Sequence, residues 1–426
     1  MQAISTVEKE YVPCNLCEAD QYTVVTETSR CIQTANKPFT FHVRLVCCSR
    51  CGLVYWNPRM TATELRRYYA GVYRAPVLPD SIDDGRRSTI QSRMRLLRQH
   101  IPRGRVLEIG SGEGFFLQKA IDEGFEAIGI EPSNSYAEVS RCLVSQAKVH
   151  RTYFEYYESK ERSNAICSFF VLEHMLDATE FLNKCYRLLA EDGWLYLEIP
   201  DVELYPSQLN DMIWHEHAYH FTRAAIRKLL AKTGFMVTDI HSPGPSYQFG
   251  MAIFAQKKDR AWIDQAAWCL PDPAAHQLAV QCFKAHFEQL ERYRAALRQE
   301  VDRLLKRVHA ERRKLAVYGT GVFYDLLYAH TNLKAGDVTI VIDDNKEKWG
   351  KPTNQGVKIE SPKRLSESEA DIVLIASDCF EAKMSENVAR WSCEHGKHYE
   401  PFRPHARAVE IVLLSSERED EDGLKG

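Results

Sequence analysis

Residues 105–131 read RVLEIGSGEGFFLQKAIDEGFEAIGIE, and this stretch decides the fold. A short apolar run leads into a glycine-rich turn, a helical stretch and a second apolar run that ends in Glu131. Glycines at 110, 112 and 114 let the backbone pass close to a ligand where a side chain would collide. An acid about 20 residues after the turn can accept hydrogen bonds from ribose hydroxyls. The stretch therefore predicts a strand–turn–helix–strand unit that binds a nucleoside.

The spacing of the glycines separates two kinds of nucleotide site. The dinucleotide fingerprint needs its third glycine at position 115, where Phe115 stands. An acid before a Gly-x-Gly-x-Gly turn resembles the S-adenosylmethionine motif of class I methyltransferases, and a nucleotide-binding turn of another kind is the alternative. The resemblance implies S-adenosylmethionine as cofactor and five cofactor-binding residues: Glu108, Gly110, Gly112, Gly114 and Glu131.

Strand and helix patterns alternate from Arg105 onward, which predicts an α/β fold with a doubly wound parallel sheet. The predicted strands are Val106–Ile109, Ala127–Ile130, Ala165–Phe170 and Trp194–Ile199. Two further strands, Phe235–Ile240 and Met251–Gln256, have no helix between them. They predict an antiparallel last strand, as in the class I methyltransferase sheet.

A second Rossmann-like unit is predicted after a long helical segment with alternating charges, which we expect to be solvated. Its first strand, Leu315–Tyr318, precedes a Gly319-Thr-Gly321 turn. The expected organisation is a zinc-binding module over 1–60, a helical connector over 61–104, a methyltransferase domain over 105–258, linking helices over 259–313, a Rossmann-like domain over 314–414 and a disordered acidic tail over 415–426.

Six of the 13 cysteines lie in the first 51 residues. Four of them form two C-x-x-C pairs about 30 residues apart, a spacing that predicts a tetrahedral zinc site. Four thiolates leave no open position, so this zinc would be structural. Cys47 is adjacent and could replace Cys48, although that would spoil the spacing, and buried thiols without metal are the alternative. The expected ligands are Cys14, Cys17, Cys48 and Cys51.

Composition limits the partners. The net charge of −3 offers no general attraction for a polyanion, so we expect no nucleic-acid partner. No apolar run approaches the ~20 residues of a membrane helix, and the N-terminus lacks a signal-peptide pattern. We therefore expect a cytoplasmic protein with a small-molecule substrate and no membrane contact. The sequence leaves the oligomeric state open.

A cluster of titratable residues follows the strand Trp194–Ile199, where loops of doubly wound sheets build ligand sites. It reads Trp214-His-Glu-His217, and Glu173-His174 follows the preceding strand. Histidine can take up a proton near neutral pH, and a neighbouring carboxylate can orient it. The block lacks the His-Glu-x-x-His spacing of a zinc helix. A surface loop with incidental histidines is the alternative.

Together these parts resemble the sugar C-methyltransferases that act on nucleotide-linked keto-deoxysugars, over nearly the whole chain and in the same order. The resemblance implies that His217 is the catalytic base, that Glu216 assists it, and that His174 lies near the sugar. Trp214 stands where the family has a tyrosine, and indole can only donate a hydrogen bond. The resemblance also implies that the C-terminal domain holds the nucleotide part of the substrate.

The implied reaction is removal of a proton next to a ketone, followed by methyl transfer to the resulting enolate carbon. Departures from the family fall in substrate-facing segments: Tyr73 is a weak equivalent of a family tyrosine, and the loop Gly244–Gly250 lacks a Gly-Gly-Ser run. Three alternatives stay open: an O- or N-methyltransferase of another small metabolite, an RNA methyltransferase, and a nucleotide-sugar-binding protein without catalysis.

Overall fold

The computed structural model describes residues 7–32, 39–66, 82–214, 216–244, 247–259 and 270–423. The chain forms two compact units, Met1–Phe287 and Glu288–Gly426. The cysteine-rich segment and the glycine-turn segment therefore share one unit, and the division between units falls inside the long helix.

The N-terminal part of the first unit is built from short strands around a hairpin. Its strands are β1 (Lys9–Glu10), β2 (Tyr22–Ile32), β3 (Phe39–Cys48), β4 (Val54–Trp56) and β5 (Arg59–Met60). Strands β2 and β3 pair antiparallel, and β4 pairs antiparallel with β3. The span between the two cysteine pairs is thus a hairpin.

The rest of the first unit is a three-layer α/β structure. In chain order it contains α1 (Asp84–His100), β6 (Arg105–Ile109), α2 (Phe115–Asp122), β7 (Glu126–Ile130), α3 (Asn134–Leu143), β8 (Lys148–His150), β9 (Ser163–Phe169), α4 (Ala178–Leu188), β10 (Leu189–Pro200), β11 (Tyr219–His220), α5 (Arg223–Lys232), β12 (Phe235–His241), β13 (Gly250–Lys257) and α6 (Pro273–Ala310). In the expected connector, residues 62–66 are also helical, and Tyr73 lies outside the described residues.

Seven of these strands form one sheet in the order β12-β13-β10-β9-β6-β7-β8. Strand β13 is antiparallel to both of its neighbours, and the remaining pairs are parallel. This confirms the predicted doubly wound sheet with an antiparallel last strand. The carboxyl ends of β6, β7, β9 and β10 consequently meet at one edge, where ligands bind in such sheets.

Side chains of β6 alternate between the two faces of the sheet, as strand geometry requires. Leu107 and Ile109 pack in one apolar cluster with Cys14, Cys48 and residues of α4 and α5. Val106 packs on the other face with Leu97 of α1. The cysteine-rich segment and α1 therefore cover opposite faces.

The α1 face contains a buried ion pair. Arg93 donates through its Nε and Nη2 to Glu198 Oε2 at 2.8 and 2.5 Å, and Tyr196 Oη donates to Glu198 Oε1 at 2.8 Å. The guanidinium carbon also lies 4.0 Å from the ring centroid of Phe169. Burial raises the pKa of Glu198, and Arg93 opposes that rise. The pair ties α1 to the middle of the sheet.

We expect Arg93→Leu to lower the free energy of unfolding by about 3–5 kcal/mol, because it leaves a buried carboxyl without its cation. Urea denaturation followed by tryptophan fluorescence measures the change. Arg98→Leu, which removes the exposed ion pair with Glu123, is the control and should cost less than about 1 kcal/mol. Equal losses of unfolding free energy in the two variants would show that the buried ion pair stabilises the fold no more than an exposed one.

Helix α6 differs from the solvated linker that the charge pattern predicts. Its N-terminal portion buries Ala279 and Phe283 beside Cys47 and Trp56 in the first unit. Its later portion buries Tyr293 and other apolar residues in the second unit. The alternating charges occupy the outer face, while a helical stripe of apolar residues packs inward.

The second unit contains β14 (Leu315–Tyr318), α7 (Val322–His330), β15 (Val338–Ile342), β16 (Ile359–Glu360), β17 (Ile372–Ile375), α8 (Glu381–His395), β18 (Glu400–Phe402) and α9 (Pro404–Gly423). Its five strands are all parallel, in the order β16-β15-β14-β17-β18. This is the arrangement expected of a Rossmann-like sheet.

The C-terminal helix extends into the segment for which we predict a disordered tail. Helix α9 continues to Gly423, through most of the segment 415–426 that acidic composition marked as disordered. Three of its twelve residues are Glu, a good helix former, and no proline interrupts it. A folded helix can therefore propagate into it from Pro404 onward.

Candidate functional site

A cavity of about 540 Å³ lies at the carboxyl ends of β6, β7 and β9. Its walls combine backbone from the glycine turn with aromatic and titratable side chains. Among the residues that line it are Gly110, Gly112, Glu131, Phe170 and His174. The sheet edge therefore brings the predicted cofactor turn and one predicted catalytic histidine to a single cavity.

The glycine turn needs glycine for different reasons at its positions. Gly110 has φ +73°, and a Cβ there would lie 2.6 Å from Val171 Cγ2. Gly114 has φ +84° and begins α2, and a Cβ there would collide with the Ser140 hydroxyl. Gly112 has φ +53° but meets nothing closer than 3.8 Å. A side chain at Gly112 would therefore enter the cavity.

Glu131 ends β7 with both carboxylate oxygens engaged by backbone. Gly112 N donates to Oε2 at 2.9 Å and Ser133 N donates to Oε1 at 2.8 Å. Burial raises the pKa of this carboxyl, and the two backbone donors oppose the rise. A carboxylate accepts about four hydrogen bonds, so lone pairs on Glu131 remain for a ligand.

Glu108 and Gly114 do not line the cavity. Glu108 lies on the face of β6 that carries Val106, and burial raises the pKa of its carboxyl well above the usual value, with Arg93 opposing. Within the described residues its buried Oε2 has no hydrogen-bond partner. A buried polar atom without a partner is rare in folded proteins, and a ligand or water usually satisfies it.

Two histidines and a carboxyl group meet beside the cavity. His174 ends a short 3₁₀ turn, Leu172–His174, that directly follows β9, and its Nδ1 donates to the backbone carbonyl of Glu216 at 3.1 Å. Its ring centroid lies 4.8 Å from that of His217, with the rings nearly perpendicular. One ligand atom each of Glu173, His174 and His217 lies within 4.8 Å of the others.

The other residues of the predicted block have different surroundings. The ring centroid of Trp214 lies 6.3 Å from that of His217. Glu216 is partly exposed, and its backbone carbonyl is the group that holds His174. Its carboxylate is not part of the cluster formed by Glu173 and the two histidines. His215 lies outside the described residues.

Further polar residues lie behind His217. Tyr205 Oη and His220 Nδ1 lie 2.9 Å apart, and both residues are fully buried. The carbonyl of Tyr205 accepts from His286 Nδ1 on α6 at 2.8 Å. His220 belongs to the same histidine-rich block of sequence as His217, whereas Tyr205 and His286 carry no local signal.

A short strand attaches the histidine loop to the cysteine-rich segment. In β11, Tyr219 pairs with Tyr55 and His220 pairs with Val54, and Trp56 N also donates to Ala218 O at 3.1 Å. Strand β11 is thereby the fourth strand of the sheet β11-β4-β3-β2. The position of His217 thus depends on the fold of the first 60 residues.

The four predicted cysteine ligands converge. Cys14 Sγ and Cys51 Sγ lie 3.5 Å apart, as do Cys17 Sγ and Cys48 Sγ, and all four sulfurs lie within 4.8 Å of one another. A tetrahedron with Zn–S bonds of about 2.3 Å has S···S edges of about 3.8 Å, so the donor set fits zinc. Cys47 points to the opposite side of β3 and packs with Trp56, which excludes it from the set.

Hydrogen bonds fix the first cysteine pair to the rest of the unit. Asn15 accepts from Thr179 N at 2.9 Å and donates to Asp177 at 3.0 Å, at the start of α4. Lys232, at the end of α5, donates to Leu16 O at 2.9 Å. Folding of the cysteine cluster is therefore coupled to two helices that flank the sheet.

Comparison with known proteins assigns the class of the first unit. A model described as a methyltransferase domain matches residues 83–240. C-methyltransferase NovU of Streptomyces niveus is 24% identical over 314 residues, which cover 71% of this chain and 73% of the relative. The chain is an enzyme, a methyltransferase that depends on S-adenosylmethionine.

Other similar proteins match a smaller part of this chain than NovU does. A ubiquinone biosynthesis O-methyltransferase of Bradyrhizobium diazoefficiens is 28% identical over 93 residues, which cover 21% of this chain and 37% of the relative. The structure of 1,6-didemethyltoxoflavin-N1-methyltransferase from Burkholderia thailandensis matches with a TM-score of 0.35 and 17% identity, over 41% of this chain and 80% of that one. A model described as C2185-like, N-terminal, matches residues 311–397.

Within the described ranges, none of the helices combines the length and the apolar character that crossing a bilayer requires.

We expect Glu131→Gln to weaken S-adenosylhomocysteine binding about tenfold or more, since hydrogen bonds to a charged group contribute about 1.5–3 kcal/mol. Isothermal titration calorimetry measures the affinity. Glu126→Gln, at the exposed start of the same strand, is the control and should bind normally. Normal binding by Glu131→Gln would remove Glu131 from the cofactor site.

Proposed function

We propose that the chain is a C-methyltransferase that acts on a nucleotide-linked keto-deoxysugar. The observation that carries the proposal is that His174 lines the cavity formed by the glycine turn and that the His217 ring centroid lies 4.8 Å from that of His174. The likeness to a relative named as a C-methyltransferase supports carbon as the acceptor atom. The proposal that the acceptor is a nucleotide-linked sugar rests on the resemblance of the sequence motifs to those of the sugar C-methyltransferases.

The cavity suits S-adenosylmethionine in shape and charge. Gly112 leaves room where a side chain would protrude, and Glu131 keeps free lone pairs for ribose hydroxyls. The two backbone donors to Glu131 favour its charged form, and a carboxylate there would attract a sulfonium cation. When bound, S-adenosylmethionine supplies the electrophilic methyl group that a carbanion of the acceptor can attack.

His217 is the proposed base. Its imidazole takes the proton from the carbon beside the ketone, and the electron pair of the broken C–H bond delocalises onto the ketone oxygen. His174, held by the Glu216 carbonyl through Nδ1, presents Nε2 to the same region and can contact the acceptor. Glu216 assists through this backbone contact, and Trp214 offers a single N–H donor.

An O-methyltransferase of a small metabolite is the second candidate. The ubiquinone biosynthesis O-methyltransferase similarity favours it, and a histidine base can also deprotonate a hydroxyl group. That similarity covers only about a fifth of this chain. The likeness to NovU extends over far more of the chain, so we favour carbon.

The second unit is proposed to hold the nucleotide part of the acceptor. It is a poor candidate for binding a dinucleotide cofactor, because the Asp343 carboxylate already accepts four hydrogen bonds from the protein. Its Oδ2 accepts from Thr320 N at 2.9 Å, from the Thr320 hydroxyl, and from Lys348 Nζ at 3.1 Å, while Oδ1 accepts from Asn345 N at 2.8 Å. Few lone pairs remain for ribose hydroxyls.

We propose that Cys14, Cys17, Cys48 and Cys51 hold one structural zinc ion. Elemental analysis should find about one zinc per chain, and Cys14→Ser/Cys17→Ser should lose most of it. We expect this variant also to lose methyl transfer, because β4 aligns the loop that carries His217. Cys142→Ser, which replaces an exposed thiol, is the control. A folded, active preparation without zinc would contradict the proposal.

The decisive test of function is incubation with labelled S-adenosylmethionine and a panel of nucleotide-linked keto-sugars, with NMR of the product. We expect a new C–CH₃ group. His217→Ala should abolish transfer, by at least about a hundredfold, while S-adenosylhomocysteine still binds. An O-linked methyl group would establish the second candidate, and native turnover by His217→Ala would exclude His217 as the base.

A further inference from the structure

We infer that Glu173, rather than Glu216, is the carboxyl group that positions His217 and stabilises its imidazolium form during proton removal. The inference rests on the proposed function, in which His217 is the base. It assigns a positioning role to a residue that neither the sequence pattern around His217 nor the comparisons single out.

Distance favours Glu173. A carboxylate oxygen of Glu173, a ring nitrogen of His174 and a ring nitrogen of His217 all lie within 4.8 Å of one another. Glu216 is adjacent to His217 in the chain, yet its carboxylate does not join this group.

Burial strengthens the effect of this carboxyl group. Glu173 is 1% exposed, and its Oε2 has no hydrogen-bond partner within the described residues. In such surroundings an ion pair is screened much less than at the surface. A charge on Glu173 would therefore act strongly on the imidazole beside it.

The elements packed against Glu173 supply no competing cation. Strands β10 and β11 and helix α4 contact the turn that carries it. Besides His174 and His217, the titratable groups on this side are Tyr205 and Asp201 after β10 and His220 on β11. Lys184 of α4 donates instead to Glu155 O and Glu158. The histidines are thus the natural partners of a negative charge here.

The proton balance follows from this arrangement. Burial raises the pKa of Glu173 to about 8, so below that pH the carboxyl group is mostly protonated. Above it, a carboxylate faces neutral His217, which then gains a proton from the acceptor carbon and forms an ion pair with Glu173. Because the two groups interact, the apparent pKa values belong to the pair.

The test is the pH dependence of kcat in the full-length enzyme. We expect wild-type kcat to rise with pH through a limb near pH 8. Glu173→Gln should lower kcat by about tenfold or more at pH 8.5 and move the limb to lower pH, because His217 loses the carboxylate that raises its basicity. KM and the affinity for S-adenosylhomocysteine should stay near wild type. Glu180→Gln, an exposed acid on α4, is the matched control.

The outcomes separate the two proposals. Wild-type kcat and an unmoved limb in Glu173→Gln, with His217→Ala inactive, would overturn the role of Glu173 and leave His217 as the base. Turnover by His217→Ala would overturn both. Thermal melting verifies that each variant is folded. Glu173→Asp keeps the charge, so its kcat should still rise through a limb at higher pH than that of Glu173→Gln. A second divalent metal, bound by wild type and lost in Glu173→Gln, with turnover that depends on it, would also overturn the inference.

Discussion

The pairing of β11 with β4 is the constraint on which the candidate site depends. Two residues, Tyr219 and His220, join the loop after β10 to the sheet that starts in the cysteine-rich segment. So short a strand is not stable alone, and its neighbours must be ordered first. A cysteine cluster held by metal can supply that order, since metal binding and folding are coupled in small modules. A structural element distant from the cofactor thereby controls the geometry of the proposed base.

Buried acids give the site its electrostatic character. Glu108, Glu131 and Glu173 are all nearly inaccessible, and burial raises the pKa of each. Burial favours the neutral form of each acid, so the ionisation of any one of them strongly changes the local charge that a bound cation would experience. Glu198 differs, because Arg93 neutralises it on the α1 face and ties a helix to the sheet. Glutamate therefore has two roles in this unit: Glu198 stabilises the packing of a helix on the sheet, and other buried glutamates lie near the proposed site at the edge of the sheet.

Local sequence patterns were sufficient to predict those features of the structure that involve residues close together in the chain. The glycine turn, the strand alternation and the two cysteine pairs are short-range signals, and the sheet order and the converging sulfurs agree with them. The linking helix differs from the expectation because charge composition describes only the exposed face of a helix. In α6 the buried stripe includes Ala279 and Phe283, whose partners Cys47 and Trp56 lie more than 200 residues earlier.

The sequence by itself determined the class of chemistry, since a glycine turn with Glu131 about 20 residues on, and a histidine-rich loop after a strand, are written in consecutive residues. Only the tertiary structure brings the Glu173 carboxyl group close to His217. Glu216 is its neighbour in the chain, but Glu173 is its neighbour in space. The reason is topological: parallel strands β9 and β10 end at the same edge, which brings together side chains that are more than 40 residues apart.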